Sequence, residues 1–318
     1  MTIVDNTVNV DVLIVGGGPG GLAVARGYRE AGGRGTVLLV SADEHPPYAR
    51  PPLTKDYLRG ESEAEDLPLA EEDWYRDNAV ELRLGTPVTR IDAAQQQAEL
   101  SDGSTVRYRR LALATGSSPS PLPIPGADLP GLVYVRDRHS GEALRGLAAA
   151  GGRVVVIGSG ARPNLALAES AGVKIDKGGV ATDAELRTSD PAIWAAGDIA
   201  YAHNPAADRH LRVEHWGEAE AMGEIVGANL AGEHQRWAVA PGFWSTIGDH
   251  QLKYSAWGDG FDRADLAEGP EGWAWYSRDG SVVGVLAENW DSAYERGQSL
   301  IERGAPLNEA MDSSEGGE

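Results

Sequence analysis

Cysteine is absent from the 318 residues, which removes disulfides, thiolate metal sites, iron–sulfur ligation and thiol redox chemistry together. Any redox chemistry in this chain is therefore left to a bound cofactor. Positive charge is scarce as well. The 28 Lys and Arg residues stand against 48 Asp and Glu, for a formal net charge of −20, and the only lysines are Lys55, Lys174, Lys177 and Lys253. A surface of that sign repels nucleic acid and anionic membrane, so neither is an expected partner. Long apolar runs are also missing. No stretch approaches 18 uncharged apolar residues, and the first, "VNVDVLIVG", contains Asp11 and has neither the basic start nor the cleavage site of a signal peptide. A cytoplasmic protein is the expectation. A hydrophobic content of 42% and a charged content of 24% suit a chain with one large core or two moderate ones.

Residues 8–15 read as a buried strand, 21–31 (GLAVARGYREA) as a helix stopped at Gly32-Gly33, and 36–40 (TVLLV) as a second buried strand. The opening is thus a βαβ unit. At its first turn lies Gly16-x-Gly18-x-x-Gly21, beginning with the run Gly16-Gly17-Gly18-Pro19, and Asp43 and Glu44 follow the second strand. Gly16 permits the tight turn, Gly18 lets backbone amides approach a pyrophosphate, and Gly21 lets the helix lie close on the strand with its positive end toward the phosphates. This fingerprint serves FAD and NAD alike.

Further along come a Pro-rich loop (PPYARPPL) and an acidic stretch (ESEAEDLPLAEED), read as a solvated face. Short strands follow around "VELRLGTPVTRI" and "QQQAELSDGSTVRYRRLALAT", with a hairpin signal at Asp102-Gly103. Residues 117–131 read as a linker, 137–150 as a helix, and "RVVVIGSG", from Arg153, as a strand echoing the one at Val8. A strand "AIWAAGD" precedes a helix over 217–231 with Ala219, Met222, Val226 and Leu230 on one face. A Trp-rich β-segment with a hairpin at Asp279-Gly280 then leads to an acidic tail, expected to be disordered over 311–318. His203, His210 and His215 are too unevenly spaced to suggest a metal site.

"ALATGSSPS" (112–120) and "RTSDPAIWAAGDIA" (187–200) resemble the paired ATG and AGD signatures of two-dinucleotide-binding flavoproteins. "PPYARPPLTKDYLRG", "VEHWGEAEAMGEIVGANLAGE" and "GFWS" narrow the resemblance to the ferredoxin reductase and apoptosis-inducing-factor branch of FAD-dependent pyridine nucleotide oxidoreductases, across residues 8–307. The resemblance implies an α/β chain: a Rossmann-like, glutathione-reductase-like FAD-binding domain over 1–232 and a small C-terminal α+β interface domain over 233–310.

FAD is the implied cofactor. By the resemblance, Asp198, after Gly197, accepts a hydrogen bond from a ribityl hydroxyl, and Ala114, Thr115 and Gly116 form the ATG turn. Lys55 lies near the flavin, where a cation favours negative charge on the reduced ring, and Arg50 and Pro51 line the same wall. Arg136 and Val88 fall at the adenine. Glu214, His215 and Trp216 open a helix, bearing Ala219, whose N-terminus faces the pyrimidine edge of the flavin, and Trp216 and Trp244 flank the ring. Lys55 and Trp216 are the candidates for a catalytic role.

Two departures stand out. The family's ribose-binding acid falls at Ala42, one residue before Asp43. More consequentially, the family's "VVVIGSG" strand opens a separate NAD(P)H domain of about a hundred residues, a usual size for a small domain, whose last strand leads into a "GARPN" turn. Here the two are joined at 160–161, with Pro163 where a third glycine belongs. The expected protein is a flavoprotein oxidoreductase with no NAD(P)H domain of its own and an open flavin face, passing electrons between a small-molecule or protein donor and acceptor. A non-catalytic or engineered flavin-binding scaffold is the alternative, and a reductase completed by a partner chain is a third reading. A homodimer is compatible with each.

Overall fold

The structure is a computed structural model and describes residues 6–127, 129–151, 155, 157–267 and 273–312. Strand β1 (Thr7–Val15), helix α1 (Pro19–Glu30) and strand β2 (Val37–Val40) form the βαβ opening, and the helix starts two residues earlier than the spacing suggested, at Pro19. Proline suits the first helical position, where an N–H has no intrahelical partner. Short helices α2 (Asp56–Arg59) and α3 (Glu72–Asp77) precede strands β3 (Val80–Arg83), β4 (Val88–Asp92), β5 (Gln97–Leu100) and β6 (Thr105–Leu113). Next come β7 (Ser117–Pro119), α4 (Arg138–Ala149), β8 (Ala161–Pro163), α5 (Ala166–Ser170), β9 (Ile175–Asp176), β10 (Gly179–Thr182) and β11 (Ile193–Ala195).

The main sheet has the order β3-β2-β1-β6-β5-β4, with β11 also paired to β6. Pairings β1–β2, β2–β3, β1–β6 and β6–β11 are parallel, whereas β4–β5 and β5–β6 are antiparallel. Its central strands are buried on both faces, which is why "VLIV" and "VLLV" show no alternation. The carboxyl ends of β1, β6 and β11 open onto one crevice, the usual ligand position in a doubly wound sheet.

Strands β12 (Ala200–Asn204) and β13 (Arg209–Leu211) complete a second sheet, β13-β12-β10-β9. Helix α6 (Trp216–Ala231) then packs across α1. Ala219, Met222, Val226 and Leu230 are all buried, as the apolar face required. The C-terminal region is an antiparallel sheet with the order β14-β15-β18-β17-β16, made by β14 (Gly242–Ile247), β15 (His250–Ala256), β16 (Arg263–Ala267), β17 (Trp273–Arg278) and β18 (Ser281–Glu288). Helix α7 (Asp291–Glu302) covers it, and α8 (Leu307–Met311) follows. Trp275, Val285, Leu300 and Ile301 form a core separate from the two around the main sheet.

Two segments differ from the sequence reading. The linker over 117–131 begins with a strand, because β7 pairs antiparallel with β8, placing Ser117 opposite Pro163. Of the strand read from Arg153, residues 153, 154 and 156 lie outside the described residues, while Val155 and residues 157–160 carry no strand and the Val155 and Ile157 side chains are exposed. Of the tail expected to be disordered over 311–318, residues 313–318 lie outside the described residues, whereas Met311 is ordered as the end of α8.

Candidate functional site

The turn after β1 shows why three glycines stand there. At Gly16, with φ of +127°, an added Cβ would stand 2.1 Å from the Ala114 carbonyl oxygen, and at Gly21 1.9 Å from that of Gly16. Both are demanded by the chain's own packing. Gly18 is different: its φ of −93° is open to any residue, and nothing lies within 4 Å of its added Cβ. That space opens on the N-terminus of α1, which carries no side-chain cap. An uncapped helix start beside empty space presents free N–H groups and the positive end of the dipole to an anion.

A cavity of about 1070 Å³ lies over this turn. It is lined by Gly16, Gly17, Gly18, Pro19 and Gly20, by Ala114, Thr115 and Gly116, and by Gly197, Asp198 and Ala219. Asp43, Arg50, Val88 and Arg136, all predicted from the sequence, line it too.

The wall after β6 is stapled to the chain after β8. Asn164 donates from Nδ2 to the Thr115 carbonyl oxygen at 2.9 Å, accepts from Ser118 Oγ at 2.7 Å, and its carbonyl accepts from Thr115 Oγ1 at 2.9 Å. Its N–H donates to the Gly116 carbonyl at 2.9 Å. Asp198 accepts from Ser117 Oγ at 2.6 Å and from the Arg136 guanidinium at 3.4 Å. Burial and the neighbouring Arg50 hold the Arg136 guanidinium below its ordinary pKa, and its buried Nε has no partner among the described residues. Arg136 thus stands beside Asp198. Asp43 is already engaged, accepting from Tyr48 Oη at 2.7 Å and from the His45 N–H at 3.0 Å.

The remaining predicted residues are placed elsewhere. Gly21 is buried in the α1–β1 contact, and Pro51 and Lys55 are exposed outside the cavity lining. Glu214 faces Arg212 at 3.4 Å. His215 is the N-cap residue of α6, with its ring edge-on to Phe243 at 5.1 Å and its Nδ1 buried without a partner among the described residues. Burial pushes the His215 pKa down, favouring the neutral ring. Trp216 begins α6, and the Trp244 ring lies over Gly217, where an added Cβ would stand 3.1 Å from it. These aromatics gather at the first turn of α6, whose Ala219 reaches the cavity.

Three contributors escaped the sequence reading. Ser117 directly follows the ATG turn, and Asn164 ends the quoted "GARPN", so both had a positional signal. Glu218 had a fainter one, a charge amid an apolar helix start. Its carboxylate accepts from Trp237 Nε1 at 2.9 Å and from the Gly242 N–H at 3.2 Å. Burial pushes its pKa up against those two bonds.

The residues present fit a dinucleotide cofactor: a cradle open at Gly18, a spare buried donor on Arg136, and an acceptor at Asp198. They make no metal centre; among the described residues no three His, Asp or Glu side chains are grouped to hold an ion. No helix is long and apolar enough to cross a membrane among the described residues.

The profile of the family described as pyridine nucleotide-disulphide oxidoreductase matches residues 10–161 and 150–223. Among similar proteins, putidaredoxin reductase of Pseudomonas putida is 28% identical over 395 aligned positions, covering 94% of this chain and 93% of the relative. The ferredoxin–NAD(+) reductase component of the anthranilate 1,2-dioxygenase system of Burkholderia cepacia is 28% identical and covers 92% and 94%. Among solved structures, the covalent putidaredoxin reductase–putidaredoxin complex matches with a TM-score of 0.85 at 27% identity, over 96% of this chain and 97% of that one.

Proposed function

Because the chain belongs to the pyridine nucleotide-disulphide oxidoreductase family, we propose that it is an FAD-dependent oxidoreductase of ferredoxin-reductase type that works without an NAD(P)H-binding domain of its own. With no cysteine in the sequence, the disulphide half of the family's chemistry falls away, and electron transfer through FAD is what is left. Bound FAD supplies the one- and two-electron chemistry that the side chains lack.

The chain's own groups do the rest. The N-terminus of α1 holds the diphosphate, with Gly18 leaving the backbone bare for its approach. Asp198, fixed by Ser117 and Arg136, would hold hydroxyls of the ribityl chain. The N-terminus of α6, whose Ala219 lines the cavity, would place positive potential beside a flavin ring bound at that end and so favour negative charge on it. Trp216 and Trp244, at the first turn of α6, would supply aromatic surface to a ring bound there, and Lys55, exposed on the Pro-rich loop, would supply a cation only if that loop turns toward the ring. A flavin held this way would supply electron transfer to a diffusible or protein acceptor, a role consistent with relatives named putidaredoxin reductase and ferredoxin–NAD(+) reductase component.

The observation that carries the domain loss is one of length. The alignment with putidaredoxin reductase spans 395 positions and nearly all of that protein, so with 318 residues here at least 77 positions have no counterpart in this chain.

Hydride transfer needs the nicotinamide held about 3–3.5 Å from the ring, and such positioning lowers a barrier by roughly 7–11 kcal/mol. Stopped-flow reduction of the FAD-loaded protein tests the reading. The NADH rate is expected to rise linearly with concentration, while dithionite and photoreduction work fully. Saturation at micromolar NADH would mean that a nucleotide site survives.

A further inference from the structure

We propose that Glu218 is a positioning residue that couples the C-terminal sheet to the cofactor end of α6 and tunes the reduction potential of the bound flavin. The inference rests on the FAD reading above, which places the N-terminus of α6 at the flavin ring. Glu218 is the third residue of that helix and only 6% exposed. Its carboxylate reaches out of the helix to the segment that leads to the C-terminal sheet. One oxygen takes the indole N–H of Trp237, itself fully buried, and the other takes the N–H of Gly242, the first residue of β14. The next two residues of β14 are Phe243, against His215, and Trp244, over Gly217. A single carboxylate therefore fixes the strand that lays both aromatics across the first turn of α6.

The same carboxylate is a charge in that turn. An anion at a helix N-terminus offsets the positive end of the dipole, here the end read as favouring negative charge on the ring. Ionised Glu218 thus opposes reduction, and protonated Glu218 does not. Other titratable groups face this corner. Tyr294 on α7 is kept protonated by burial and by the charges of Glu218 and Glu302, and Lys253 lies 5.9 Å from its ring. Glu302 accepts from the Ala240 N–H at 3.0 Å. His215, near Asp198 and Glu214, is held neutral by burial.

The test is the potential of bound FAD against pH, by spectroelectrochemistry, in the wild type, Glu218→Gln and Trp237→Phe. Glu218→Gln removes the charge and is expected to raise the potential above the wild-type inflection, where Glu218 is ionised, and to match the wild-type curve at low pH, where wild-type Glu218 is protonated. Trp237→Phe keeps the charge but removes a bond that stabilises the ionised form, so its inflection is expected at higher pH than in the wild type. That displacement also separates Glu218 from His215, whose titration the change leaves alone. FAD-loaded proteins whose three curves overlay would overturn the proposal and leave the cofactor reading intact. A wild-type chain that takes up no FAD would overturn both. If Glu218→Gln does not fold, the Trp237→Phe displacement decides alone, and its absence overturns the proposal.

Discussion

At Gly21 an added methyl would stand 1.9 Å from a backbone oxygen, whereas at Gly18 it would meet nothing within 4 Å. Two glycines of one motif therefore fail in opposite ways. Gly18→Leu is expected to fold with the melting temperature of the wild-type apoprotein yet take up no FAD in a spectral titration. Gly21→Ala is expected to lose stability, by about 1–3 kcal/mol as for overpacked sites, seen as a lower urea midpoint. A second residue-scale test concerns Tyr75, 5% exposed, whose hydroxyl has no partner among the described residues. Tyr75→Phe should stabilise the protein by about 1 kcal/mol, because an unsatisfied buried hydroxyl is lost. Burial pushes the Tyr75 phenol from 10.0 to about 12. Its folded value lies above its unfolded one, so its contribution is complete below pH 10 and lost as pH rises through about 12. Denaturation from pH 9 upward should show the wild type losing stability in that window relative to Tyr75→Phe.

Between elements, the crossing of α1 and α6 is made by glycines on both helices. Added Cβ atoms would lie 2.4 Å from the Glu224 carbonyl at Gly27, 2.5 Å from that of Gly20 at Gly223, and 2.3 Å from that of Val24 at Gly227. The backbones touch with no side chains between, which draws the N-termini of α1 and α6 to one cavity, where Gly20 and Ala219 both line the wall. Gly227→Ala should part the helices and destabilise the fold by about 1–3 kcal/mol. Its FAD affinity should fall as well, although residue 227 lies far along α6 from the cavity-lining turn; equilibrium unfolding with and without FAD measures both. The β7–β8 pair is the other decisive junction, where Asn164 satisfies backbone and side-chain groups of the ATG turn.

For the whole molecule the governing quantity is the charge of −20. Long-range repulsion of an acidic electron-transfer protein should slow encounter at low ionic strength and relax as salt screens it over about 10 Å at 0.1 M. Reduction of such a partner by the photoreduced flavoprotein is therefore expected to speed up from 10 to 150 mM salt. A rate that falls steeply over that range would show instead that a local basic patch steers the partner.

The sequence by itself determined what depends on near neighbours. The βαβ opening, the glycine turn, the α6 face and the Asp279-Gly280 hairpin are written in spacings of two to five residues, and the observed elements keep them. Composition likewise decided that no cysteine chemistry is available. Only the tertiary structure decided which groups meet across long separations. Asp198 lies 81 residues from Ser117, Asn164 49 residues from Thr115, and Glu218 24 residues from Gly242. No local pattern encodes such contacts, because each partner satisfies its own segment's geometry equally well without the other. They arise when β6, β8, β11 and α6 pack, and burial then makes every unpaired polar atom costly enough to fix its partner.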